Sequence, residues 1–230
     1  PTVCAKWGDT AAILSGDTML VLAYEFLSHV PADRLPAMLA LFTETAKEVG
    51  DGQQYDLDFE KRDDVTEQEY MEMIRLKTSV LLATALQIGA YIAGASEEEQ
   101  QAVYQFGINI GLAFQIQDDI LDYDGTDSVG KPLGVDVLEQ KITIPLLGAL
   151  ANVSEQEQKR VRGLVNDIVG HPEHRDEIVA FVKENGGLEY ARRRLDEYVD
   201  KAVHALDALP DSQEKAFLVE LAYFTAKRDK

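Results

Sequence analysis

Phe114-Gln115-Ile116-Gln117-Asp118-Asp119-Ile120-Leu121-Asp122, entered through the nearly all-apolar run Ile108–Ile116, decides how this chain folds. The apolar residues recur at helical rather than alternating spacing, and Ser96 followed by Glu97, Glu98 and Glu99 supplies a start signal upstream. A serine hydroxyl caps free amides, and the acids meet the positive end of the helix dipole. A helix over about 97–123 that is apolar on most faces belongs at the centre of a bundle. Ser79 to Ala95 reads the same way. Outward from this pair, helical periodicity predicts further helices at about 11–29, 34–49, 66–94, 137–150, 155–169, 173–184, 187–208 and 212–228. Stops are expected at His29-Val30-Pro31, Gly50-Asp51-Gly52, Gly94-Ala95-Ser96, Gly170-His171-Pro172, Asn185-Gly186-Gly187 and Leu209-Pro210-Asp211. The helices from residue 155 onward are amphipathic and charged, which predicts an outer layer. No alternating strand of useful length occurs, so the expected fold class is all-α, as one domain over 1–230. The long irregular stretch is the Gly-rich segment Tyr123 to Asp136, joined directly to the central helix.

The chain has 230 residues, 22 basic and 41 acidic, a net charge of −19, and 46% hydrophobic residues. That composition excludes wholesale disorder and supports a sizeable core. A single cysteine, Cys4, excludes a disulfide framework and a cysteine-based zinc site; it reads as a small buried residue in a reducing compartment. The acidic balance weighs against nucleic acid, against an anionic membrane surface, and against any anionic substrate bound without a metal. The first residues lack the basic start and apolar core of a signal peptide. Ser79–Ala95 is too short to span a bilayer alone, so no stable membrane insertion is expected.

On a helix, Asp118 and Asp122 share a face, Asp119 lies beside them, and Gln115 sits one turn back. Grouped carboxylates repel, and a core helix carries them most naturally against a counter-charge. Hard divalent cations, Mg²⁺ above all, are held by one or two carboxylates per ion with waters and phosphates. The competing reading is a solvated acidic face. Lys77-Thr78 precedes the most apolar stretch of its helix, Lys131 lies in the Gly-rich segment, and Lys141 opens the next apolar segment. Each lysine taken alone could snorkel to solvent; three lysines with a threonine and an aspartate cluster suggest a diphosphate–metal site. His29, His171, His174 and His204 show no ligand spacing and read as surface or structural residues. Arg192-Arg193-Arg194 reads as solvated.

In this order these residues resemble the trans-isoprenyl diphosphate synthases, the polyprenyl synthetases. The likeness runs from Pro1-Thr2-Val3 with Gly16-Asp17, through Gly52-Gln53-Gln54-Tyr55-Asp56-Leu57 and Lys77-Thr78. It continues through Phe114-Gln115, Asp118-Asp119 and Asp122, then Gly130-Lys131-Pro132 with Gly134 and Asp136, Lys141, Gly186-Gly187 and the basic Arg228-Asp229-Lys230. The resemblance implies an isoprenoid-synthase-type helical bundle with a central cavity, in which Asp118, Asp119 and Asp122 form the family's second aspartate-rich motif and hold Mg²⁺ against an allylic diphosphate. It implies that Lys77, Thr78, Gln115, Lys131 and Lys141 bind that diphosphate, with Lys77 and Lys131 catalytic. The implied reaction ionises the allylic diphosphate, joins the cation to isopentenyl diphosphate and loses a proton, with the helices near 11–29 and 66–94 walling an apolar tunnel. A longer-chain product, a cytoplasmic location and a homodimer are implied as well. The alternatives are a farnesyl or geranylgeranyl diphosphate synthase, or a non-catalytic subunit of the same fold; a terpene cyclase fits the aspartates less well. The family's first aspartate-rich motif and isopentenyl-diphosphate residues precede the segment matching Pro1, so this stretch alone is expected to have little or no synthase activity. Cys4 stands where the family usually has Asn.

Overall fold

The computed structural model describes residues 1–124 and 133–227, and among them helices and turns account for the regular structure, with no strand. The elements are α1 (Val3–Trp7), α2 (Asp9–Ser28), α3 (Leu35–Phe59), α4 (Glu67–Ile74), a π-helical turn (Arg75–Ser79), α5 (Val80–Ala93), α6 (Glu97–Asp124), α7 (Val135–Leu138), α8 (Ile144–Ala151), α9 (Glu155–Asp167), α10 (His174–Glu184), α11 (Gly187–Ala205), a 3₁₀ turn (Leu206–Ala208) and α12 (Gln213–Ala226). They form two compact units, Pro1–Glu44 and Thr45–Lys230, with the boundary inside α3.

In the first unit, α2 leaves Ile13, Met19, Val21 and Phe26 more than 60% exposed. Cys4 is also exposed rather than buried, and its thiol donates to Asp9 Oδ1 at 2.9 Å. It sits in a five-residue helix that buries nothing.

In the second unit α6 is the axis, as its apolar run predicts. It lies along α5 and α11 and buries Phe106, Ile116 and Tyr123 almost completely. Each such side chain contributes about 1.5–3 kcal/mol from burial. Gly107 and Gly111 let the helices approach: a Cβ on Gly111 would stand 2.6 Å from Ser79 Cα, and one on Gly107 would meet the Ala83 backbone. The start of α6 forms as expected, with Ser96 Oγ accepting from Glu99 N at 3.2 Å and Glu99 Oε2 accepting from Ser96 N at 2.8 Å. α11 departs from the expected outer layer by packing directly on α6 and α8. Its stripe of Leu188, Ala191, Leu195, Val199 and Ala202 is apolar, and the two alanines let the backbones come close.

Three local expectations change, each for a packing reason. The stop at Gly50-Asp51-Gly52 does not occur; α3 runs on to Phe59. Gly52 is there because a Cβ would strike the Lys77 backbone nitrogen and lie 2.8 Å from the Leu76 carbonyl carbon, so it is a crossing point rather than a terminator. The helix over 66–94 starts on the Thr66–Glu69 capping box and is interrupted by the π turn at Arg75–Ser79. One extra residue in that turn resets the direction in which Lys77 and Thr78 point. The helix over 137–150 is two pieces: Pro145 lies in the first turn of α8 and cannot continue a helix from Lys141, and Gln140 takes φ +59° between them. By length and composition alone, Asp9–Ser28 and Glu67–Ala93 are long and apolar enough to cross a bilayer. The shortness of Ser79–Ala95 describes only part of the latter.

Candidate active site

α6 brings its polar end against the π turn, the C-terminal half of α3, and the segment between α7 and α8. These elements enclose a cavity of about 50 Å³ whose wall includes Asp56, Lys77, Gln115, Asp119, Asp136 and Lys141. Four of the expected site residues, Lys77, Gln115, Asp119 and Lys141, therefore meet at one place although they span 64 positions (141 minus 77). Thr78 joins them through Gln115, its hydroxyl donating to Oε1 at 3.2 Å. Lys131 lies outside the described residues.

Lys77 does not snorkel. Its ammonium donates to Asp56 Oδ2 at 2.6 Å, on a carboxylate that is itself buried. Lys141 reaches Glu139 Oε2 at 2.5 Å and Asp136 Oδ1 at 3.8 Å. Both cations thus face the cavity while held by acids beside them. Counting lining residues, Asp56, Glu60, Asp119 and Asp136 outnumber Lys77 and Lys141, so the cavity carries an excess of negative charge.

The three aspartates of α6 take different positions. Asp119 is buried, accepts from the Tyr70 hydroxyl at 2.6 Å and from the Ile144 amide at 3.4 Å, and its carboxyl is pushed up to about 8, chiefly by loss of water. Asp122 lies one turn on, where its two oxygens accept from the Val135 and Asp136 amides at 3.0 and 3.2 Å; burial, with Asp136 nearby, raises it to about 6. Asp118, one position before Asp119, is half-buried. A carboxylate that folding holds so far above its ordinary range is an acid without enough positive charge around it. Of the three aspartates of α6 only Asp119 lines the cavity, and their carboxylate oxygens do not all lie within 4.8 Å of one another, so they offer the hard oxygen donors that Mg²⁺ takes without closing on one point.

Two residues of the site, Asp56 and Tyr70, are absent from the expected set. Asp56 sits in the Gln53-Gln54-Tyr55-Asp56-Leu57 string and pairs with Gln53 one turn back at 3.4 Å, a spacing that helical periodicity could have exposed. Tyr70, 49 residues from the aspartate it binds, carries no local signal at all.

The chain is similar to known proteins in both sequence and fold. The family model described as polyprenyl synthetase matches residues 1–184. The geranylgeranyl diphosphate synthase of Methanosarcina mazei is 36% identical over 236 residues, covering 100% of this chain and 70% of its own length. The octaprenyl diphosphate synthase of Haemophilus influenzae is 32% identical, covering 99% of this chain and 68% of its own. Among solved structures, the polyprenyl synthase of Caulobacter crescentus complexed with calcium and isoprenyl diphosphate superposes with a TM-score of 0.86 at 28% identity, over 99% of this chain and 69% of that one. A likeness that extends over both the helical architecture and the sequence, at such coverage, makes this chain a member of the polyprenyl synthetase family, the trans-isoprenyl diphosphate synthases.

Proposed function

We propose that the cavity is the allylic-diphosphate side of an Mg²⁺-dependent prenyltransferase that condenses an allylic diphosphate with isopentenyl diphosphate into a longer all-trans polyprenyl diphosphate. The observation that carries this reading is the convergence of Lys77, Gln115, Asp119 and Lys141, from three separate segments, on one acidic cavity. In this reading Asp118, Asp119 and Asp122 hold the cation, which supplies positive charge to the diphosphate oxygens as they leave. Lys77 and Lys141 exchange their internal carboxylate partners for phosphate oxygens, and Lys131 adds a third charge. Gln115, oriented by Thr78, offers its amide. Tyr70 fixes the Asp119 carboxylate, and the apolar interior excludes water from the allylic cation. The family resemblance adds a homodimer in the cytoplasm, and the exposed apolar side chains of α2 support self-association.

The test is calorimetric titration of farnesyl diphosphate into the chain with Mg²⁺ and with EDTA. Binding is expected to require Mg²⁺ and to weaken at least tenfold in Lys77→Ala and in Asp118→Ala, each removing a charge-assisted contact of about 1.5–3 kcal/mol. Binding of equal strength in EDTA, or in Lys77→Ala, overturns the reading. Sizing of any product formed on addition of isopentenyl diphosphate separates long-chain from short-chain synthesis.

A further inference from the structure

His171, Glu173 and His174 connect α9 to α10 and bring one ligand atom each to within 4.8 Å of the others, the one such trio of His, Cys, Asp or Glu among the described residues. The exposure of His171 and the half-buried position of His174 agree with the surface reading of these histidines, and the turn also brings their ligand atoms together with that of Glu173. His171 N donates to Asp167 O at 3.0 Å, His174 N to His171 O at 3.0 Å and Arg175 N to Pro172 O at 3.2 Å, which fixes the backbone on both sides of Pro172. The two imidazoles stack with centroids 5.3 Å apart, and His171 Nδ1 lies 3.1 Å from Glu173 Oε1. His174 Nδ1 is shielded from solvent and has no hydrogen-bond partner. A buried, unsatisfied imidazole nitrogen costs free energy that a hydrogen bond or a metal would recover. The adjacent guanidinium of Arg175 does not compete, since it is paired with Asp176 Oδ1 at 2.7 Å. None of the three lines the Lys77–Lys141 cavity.

We propose that His171, Glu173 and His174 form a second metal site, for a divalent transition cation of the zinc class. Two imidazoles and one carboxylate are a borderline nitrogen–oxygen donor set that suits Zn²⁺ and leaves a fourth position for water, whereas Mg²⁺ selects all-oxygen ligands. Tetrahedral Zn²⁺ with bonds of about 2.0–2.1 Å needs ligand atoms roughly 3.4 Å apart. His171 and Glu173 are exposed and free to close the remaining gap by rotamer changes. The bound cation would brace the turn that leads into α10, a structural role independent of prenyl transfer.

The test is titration of Zn²⁺ into the full chain with millimolar Mg²⁺ present to fill the carboxylate sites, read by NMR of the four histidine rings and by calorimetry. The expected result is one zinc equivalent that shifts the His171 and His174 ring signals and leaves His29 and His204 unmoved. That equivalent should weaken at least tenfold in His171→Ala and in Glu173→Gln, both at exposed positions whose folding is checked by circular dichroism. Equal movement of all four rings, or unchanged zinc affinity in the two variants, overturns the proposal.

Discussion

Replacing Asp119 by Asn converts the most strained acid of the cavity into a neutral isostere that still accepts from Tyr70. The folded carboxyl titrates near 8 against an ordinary value of 3.8, mainly because burial removes its water. Below about pH 4 both folded and unfolded states hold the proton, and the group makes no difference. Between there and pH 8 the unfolded chain is ionised while the folded chain still holds its proton, so stability falls as pH rises, by up to about 1.4 kcal/mol per unit. Above pH 8 the loss is complete, with a ceiling near 6 kcal/mol, and about 3–6 kcal/mol allowing for the neighbouring Asp136. Asp122 behaves in the same direction with its shift to about 6, caused by burial and Asp136 rather than by Asp119. Urea unfolding in EDTA, followed by circular dichroism from pH 5 to pH 8.5, should therefore show wild type losing stability across the whole range. Asp119→Asn should keep the decline up to about pH 6, lose it from pH 6 to 8, and be the more stable protein at pH 8. Mg²⁺ should raise the wild-type curve at pH 8 and narrow the difference. Parallel curves for the two proteins would refute the burial argument.

Two further perturbations read the packing directly. Gly52→Ala places a methyl against the Lys77 backbone, where no flexible side chain can yield. It should destabilise by about 1–3 kcal/mol and also weaken Mg²⁺-dependent farnesyl diphosphate binding, whereas a purely structural crossing would leave affinity unchanged once folding is restored by lower temperature. Tyr70→Phe removes the hydroxyl that supports the Asp119 carboxylate at 2.6 Å. Its cost should be about 1.5–3 kcal/mol at pH 8.5, where the acid is ionised, and smaller at pH 5; a pH-independent cost measured by urea unfolding would show that the bond does not serve the charge.

The sequence is most legible where a signal is local. The Ser96-Glu97-Glu98-Glu99 start, the apolar run into Asp118 and the amphipathic stripes of the later helices are periodic along one segment, and each forms as its period requires. The site is half legible. Lysines beside apolar segments and grouped aspartates are improbable in a core without a reason, so Lys77, Gln115, Asp119 and Lys141 are conspicuous along the chain, while their convergence is not. Gly52 misleads because a glycine that stops a helix and one that lets two helices touch look identical in sequence; the neighbour it touches is 25 residues away (77 minus 52). Pro145 is visible as a breaker, but the length of the apolar segment around it outweighs it.

By itself, then, the chain's periodicity and charge placement determined an all-α bundle, its central helix and the acidic end of that helix, since backbone and side-chain preferences within a few residues are enough for those. The tertiary structure decided which residues complete the chemistry. Asp56 becomes the partner of Lys77, Tyr70 the support of Asp119, and the π turn the device that aims Lys77 and Thr78, because each depends on contacts between segments that the chain brings together only by burying its core.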